Sequence, residues 1–153
     1  MYVLERETIV PRSRTEVFQF FNNPRNLAEI TPPSMGFRIL ALDDPPMRAG
    51  YKIEYRVKVF GVSLRWLTTI AEYEPPDRFA DEQTSGPYKY WHHEHIFEDK
   101  DGATIMRDRV RYELPLGPLG ALVHRLAVAR QLGRIFDYRA QRIAELFPLT
   151  PEP

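Results

Sequence analysis

Residues 88–112 read YKYWHHEHIFEDKDGATIMRDRVRY and hold three of the chain's four histidines. In the second half of this stretch, Thr104, Met106, Asp108, Val110 and Tyr112 alternate with Ile105, Arg107, Arg109 and Arg111. The three arginines mark the solvent side of a strand, so Asp108 points inward. In the first half, Trp91, His93, His95 and Phe97 share one face, and Tyr90, His92, Glu94 and Ile96 share the other. The first set ends in large apolar residues and is the inward one. A buried carboxylate costs several kcal/mol unless it is paired, so Asp108 needs a histidine. A two-residue turn at Asp101-Gly102 sets Asp108 opposite His95, and a four-residue turn from Asp99 to Gly102 sets it opposite His93.

Three chemistries suit such a cluster. His93, His95 and Asp108 can act as a general acid–base set, because burial moves an imidazole that titrates near neutral pH. The same three can ligate a metal, His93 and His95 from one strand face with Asp108 as the carboxylate. A His-x-His pair is short and weakly specific, however, and only His124 lies outside this strand; no metal and no cofactor is expected. The third reading makes the band the polar end of a ligand cavity. Asp81 and Gln83 on a neighbouring strand extend that band. Trp66, Trp91, Tyr55 and Tyr112 supply an aromatic wall, with Thr68 and Met106 on the same inward faces.

The elements that must hold these residues are legible from their periods. Residues 2–10 form a strand ended by Pro11. Ser13 and Glu16 form a capping box for a short helix, and Asn23-Pro24 opens a second one that runs through Ile30. Residues 36–42 add a strand. In residues 51–59 the odd positions are apolar; after Phe60-Gly61 the parity flips to Val62, Leu64, Trp66, Thr68 and Ile70. A two-residue turn there keeps both sets on one side and places Tyr55 opposite Trp66. Residues 79–84 form a further strand. From Pro118 to Phe147, Leu119, Leu122, Leu126, Ala129, Gly133, Phe136, Ala140, Ile143 and Phe147 recur at three- and four-residue steps, predicting one amphipathic helix of about 30 residues.

This is an α+β chain: a curved antiparallel sheet of about seven strands, two short helices after strand 1, and a long C-terminal helix large enough to cover the sheet. One domain over residues 1–148 is expected, with 149–153 as a frayed tail. Leu126 and Gly133 on the helix's apolar stripe are expected to face the cavity, the glycine making room for a ligand.

Composition narrows the partners. The chain has 153 residues, no cysteine, and 21 basic against 21 acidic residues. Zero net charge argues against nucleic acid, and the absence of cysteine excludes disulfides and thiolate chemistry. The start MYVLERETIV lacks a signal-peptide apolar core, and no stretch approaches the ~20 apolar residues of a membrane span. A cytoplasmic monomer or homodimer is expected. His124, Arg125, Arg130, Arg134, Arg139 and Arg142 make the long helix basic against Asp137 and Glu145. Its apolar side is needed by the sheet, so transient membrane contact is the most that this pattern supports, without stable insertion.

Several segments carry a family likeness: FNNPRNLAEITPP (21–33), the W-x-T-x-I of Trp66-Thr68-Ile70, DEQTSGPYKYWHHEH (81–95), and Asp108 through Pro115 and Gly117. With these the chain resembles the START-like (SRPBCC) helix-grip superfamily, which includes polyketide cyclase/dehydrase-like proteins, coenzyme Q-binding proteins and plant pollen-allergen-type carriers. Within it, the chain is similar to a bacterial branch of small ligand-binding domains, some fused to nucleotide-sugar-epimerase-like domains. The resemblance covers nearly the whole chain. It implies a cavity between sheet and helix that binds a hydrophobic molecule such as a lipid, quinone or polyketide. It assigns no residue a catalytic role. The second reading is a cyclase, dehydratase or hydrolase that uses a His–Asp pair in the same cavity.

Overall fold

The computed structural model describes residues 1–149, so the expected tail lies almost wholly outside the described residues. Seven strands form one antiparallel sheet: β1 (Tyr2–Val10), β2 (Arg38–Leu42), β3 (Lys52–Val59), β4 (Val62–Glu74), β5 (Arg78–Ser85), β6 (Tyr90–Lys100) and β7 (Ala103–Glu113). Their spatial order is β1-β7-β6-β5-β4-β3-β2. Two hairpins have two-residue turns: the one predicted at Phe60-Gly61, and, at Asp101-Gly102, the shorter of the two alternatives that the sequence leaves open. Phe60-Gly61 and Asp101-Gly102 all have positive φ, the backbone that matches the twist of flanking strands. Tyr55 therefore pairs with Trp66, and His95 with Asp108.

Between β1 and β2 lie α1 (Arg14–Phe21) and a 3-10 helix, Pro24–Ile30. The Ser13 hydroxyl accepts the Glu16 N–H at 3.3 Å, and the Asn23 side chain accepts the Arg25 N–H at 3.1 Å. Both starts follow from the capping residues. Phe18 and Phe21 of α1 pack on Phe97, joining a core with Val10, Ile70, Phe79, Met106 and Ile143.

The C-terminal helix runs from residue 117 to 146, but it is not uniform: α2 (Gly117–Val123), a π-helical turn (His124–Val128) and α3 (Ala129–Leu146). The wider turn shifts the phase of everything before it. Of the predicted apolar stripe, Phe136 and Ile143 are buried, whereas Leu119, Leu122 and Leu126 are 52–67% exposed. The buried line is instead Gly120, Val128, Leu132, Phe136, Arg139 and Ile143. Two contacts hold the start of the helix in this phase. A Cβ on Gly120 would stand 2.1 Å from the Pro115 carbonyl oxygen, so only glycine permits that approach. His124 stacks on Tyr2 at 3.5 Å, with its Nε2 2.7 Å from the Tyr112 hydroxyl.

Gly133 does not face the cavity, contrary to expectation. A Cβ there would meet only Arg6 Nη2, at 3.7 Å. With ordinary contact and helical backbone, Gly133→Ala is expected to stabilise the protein by about 0.5–1 kcal/mol, as measured by urea unfolding. A loss of stability would show that the glycine is needed for close packing.

Candidate functional site

Between sheet and helix lies a cavity of about 160 Å³. Its walls are mainly apolar and aromatic, including Ile53, Tyr55, Trp66, Ile70, Phe79 and Trp91 from the sheet and Leu132, Ile135 and Phe136 from α3. Tyr55 stacks on Trp66 at 5.8 Å, and Trp66 meets Trp91 edge-on at 5.3 Å. These contacts follow from the β3–β4 register and from the alternation of β6.

One wall is polar. β5, β6, β7 and α3 bring together Asp81, His93, His95, Asp108 and Arg139. His93 Nε2 lies 2.7 Å from Asp108 Oδ1, and His95 Nε2 lies 2.7 Å from Asp81 Oδ2. Both bonds are diagonal to the strand register, since His95 is the Cα partner of Asp108 and His93 that of Asp81. The two imidazoles stack at 3.8 Å, so each leans past its direct partner to the next.

Arg139 completes the group. Its guanidinium is 3.6 Å from Asp108 Oδ1 and 3.5 Å from His95 Nδ1, and it lies over the Phe21 and Phe136 rings at 5.4 and 5.6 Å. The basic run of the helix predicts a solvent-facing side chain here; instead it is only 9% exposed. A sign was present in the spacing of Leu132, Phe136, Arg139 and Ile143, which are four, three and four residues apart.

Charge states follow from the contacts. Burial alone would raise the Asp108 carboxyl. The Arg139 guanidinium, together with the His93 hydrogen bond, overrides this and holds it well below the usual carboxylate range. Burial would likewise raise Asp81, but the His95 hydrogen bond, the two imidazoles and the Arg139 guanidinium lower it. His95 is pushed down to about 4, first by burial and then by His93, against the pull of Asp81. At neutral pH it is a neutral imidazole that donates from Nε2 to Asp81 and presents Nδ1 as an acceptor toward Arg139. Burial also raises the Tyr55 and Tyr88 phenols, which stay protonated.

Two fully buried donors of residues that line the cavity, Trp66 Nε1 and Arg139 Nε, have no hydrogen-bond partner among the described residues. Asp81, His93 and His95 each bring one donor atom to within 4.8 Å of the others, a set that a divalent cation can use. As they stand, Asp81 is engaged by His95, and the Arg139 cation lies against the same cluster.

Of the residues expected at the site, Tyr55, Trp66, Thr68, Asp81, Trp91, His93 and His95 line the cavity. Asp108 stands behind them as partner to His93. Gln83 folds back on the β5–β6 turn, exchanging two hydrogen bonds with the Tyr88 backbone. Met106 is fully buried in the core, and Tyr112 packs with Val110, Val128 and Leu132. Leu126 is displaced to the surface by the π-helical turn. His92, on the opposite face, binds Glu82 at 2.8 Å and takes no part.

A curved sheet gripping one long helix around an apolar cavity defines a helix-grip protein. The family model described as "Polyketide cyclase / dehydrase and lipid transport" matches residues 10–136, and the chain belongs to that family. A START superfamily protein from Mycobacterium smegmatis has the same fold at TM-score 0.70 and 16% identity, over 95% of this chain and 99% of that one. The protein TTHA0849 from Thermus thermophilus aligns at TM-score 0.67 and 15% identity, over 95% and 99%. A nucleoside-diphosphate sugar epimerase from Corynebacterium glutamicum aligns at TM-score 0.65 and 23% identity; the match covers 93% of this chain and 28% of that one. No protein of curated function matches the sequence.

Proposed function

We propose that the protein binds a hydrophobic small molecule carrying an oxygen acceptor, such as a quinone, polyketide or fatty acyl compound, in the cavity between sheet and helix. The observation that carries this reading is the polar group of Asp81, His93, His95 and Arg139 on one wall of a cavity otherwise lined mainly by apolar and aromatic side chains. Apolar walls hold the body of a ligand, and a few convergent polar groups on one wall orient its carbonyl, hydroxyl or carboxylate oxygen. The volume of about 160 Å³ sets the scale. A cavity of roughly 150 Å³ holds a benzene-sized molecule, so one ring or a short chain fits without rearrangement, and a longer body must displace side chains.

A second reading, an enzyme of cyclase, dehydratase or hydrolase type, is favoured by one observation. His93 is held by Asp108 through Nε2 on a wall of the cavity, the arrangement of an oriented base. Native mass spectrometry of freshly purified protein, beside a metal analysis of the same sample, tests both. The expected result is an extra organic mass that extracts into solvent. A bound mass that changes on incubation identifies turnover. Stoichiometric metal with no organic mass overturns the carrier reading and makes Asp81, His93 and His95 ligands.

A further inference from the structure

The π-helical turn leaves an apolar stripe on the outside of the long helix that the sheet does not cover. Leu116, Leu119, Leu122 and Leu126 are 71, 56, 52 and 67% exposed, and Val123 beside them is 41% exposed. They follow one another at three- and four-residue steps, so they form one continuous ridge. Arg130 and Arg134 continue the same ridge, and Arg125 flanks it; all three are exposed and have no ion-pair partner among the described residues. From residue 114 to 136 the chain contains no Asp or Glu.

The sheet register brings a second apolar element to the same end of the molecule. β7 ends at Glu113, which pairs with Tyr90 at the start of β6. The last residue of β5, Ser85, pairs with Leu67 in the first half of β4, and β4 begins beside Val59. The β3–β4 turn and the start of the long helix therefore stand at one end of the sheet. At that turn Phe60 and Val62 are also more than half exposed. The cavity reaches this end at Val59, Tyr88 and Trp91.

We propose that the leucine ridge of the long helix, with the β3–β4 turn, is a docking site for the surface of an anionic lipid bilayer. Exposed apolar side chains gathered in a patch mark an interaction surface. Leucines that enter the acyl boundary, with arginines that snorkel to the headgroups, form the pattern of an interfacial helix. The charge decides the occupant. A second copy laid on the same ridge would set the same arginines against one another with no acid to meet them, whereas anionic headgroups complement all three. No helix among the described residues is long and apolar enough to cross a membrane, so the contact is peripheral. Docking this end against a bilayer brings the Val59–Trp91 end of the cavity toward the lipid, which extends the binding role proposed above without depending on it.

Sedimentation with vesicles tests this directly. The intact protein is mixed with vesicles of phosphatidylcholine alone or of phosphatidylcholine with phosphatidylglycerol. Binding is expected to the mixed vesicles only and to weaken as salt is raised. Leu122→Glu/Leu126→Glu is expected to lower partitioning by about tenfold or more with unchanged thermal unfolding, since both side chains are exposed. Unaltered vesicle binding by that variant overturns the proposal, as does absence of binding by the wild type. A dimeric wild type that the substitutions convert to a monomer, with no vesicle binding, assigns the ridge to a second copy instead. Vesicle binding is read without reference to bound cargo. An organic mass in a protein that ignores vesicles would leave the carrier reading standing, and an empty protein that binds them would leave the docking site standing.

Discussion

Arg139→Met is expected to destabilise the protein by about 3–5 kcal/mol at pH 7, because it strands a buried carboxylate. Asp108 is 4% exposed, and Arg139 is the one permanent cation within 4 Å of it among the described residues. Burial raises the Asp108 carboxyl and Arg139 is the largest influence that lowers it. The sign of the pH dependence follows. A carboxyl held low in the folded state contributes stability above its unfolded value near 3.9. That contribution fades as pH falls through and below this value toward the folded pKa. The variant lacks most of this contribution, so the gap between wild type and variant is widest at neutral pH and narrows as pH falls below about 5. Asp108→Asn in the Arg139→Met background removes the stranded charge and is expected to recover part of the loss, a coupling of about 0.5–3 kcal/mol. Urea unfolding at several pH values measures all of this. A loss below about 1 kcal/mol, or one independent of pH, would show that the guanidinium does not hold the carboxylate.

Thr68→Phe is expected to lower ligand uptake by about tenfold or more while changing stability by less than about 1 kcal/mol. Thr68 is 4% exposed on β4, lines the cavity, and places its hydroxyl 3.5 Å from the Tyr55 hydroxyl. A phenyl ring at this position enters the space a ligand would use. Removing contacts equal to one buried side chain costs binding about 1.5–3 kcal/mol, which is roughly tenfold to hundredfold in affinity. The opposite pattern separates a cavity from a filled core. In a filled core the added ring causes overpacking strain of about 1–3 kcal/mol and leaves any bound mass unchanged. Native mass spectra and urea unfolding of the same preparation distinguish the two.

Much of the site was legible because it is built from local alternation. The Phe-Gly turn and the period of two turned Trp66, His93, His95 and Asp108 to one side, and either length of the turn before β7 set Asp108 opposite a histidine. Which histidine holds Asp108 was not legible. The bond to His93 runs diagonally because the two imidazoles stack and Asp81 and Arg139 claim His95. Arg139 was missed because a charged residue at a core-facing helix position looks in hydropathy like one more member of a basic face.

The sequence by itself determined the strands, the Phe60-Gly61 turn, the inward carboxylate and the existence of one long helix, since each depends on contacts within a few residues or across one hairpin. Tertiary structure decided the phase of that helix and hence the inward guanidinium and the outward leucines. That phase is set where His124 stacks on Tyr2, at the opposite end of the chain. Contacts between distant segments, not periodicity, choose which face of a helix is buried when a π-helical turn allows either.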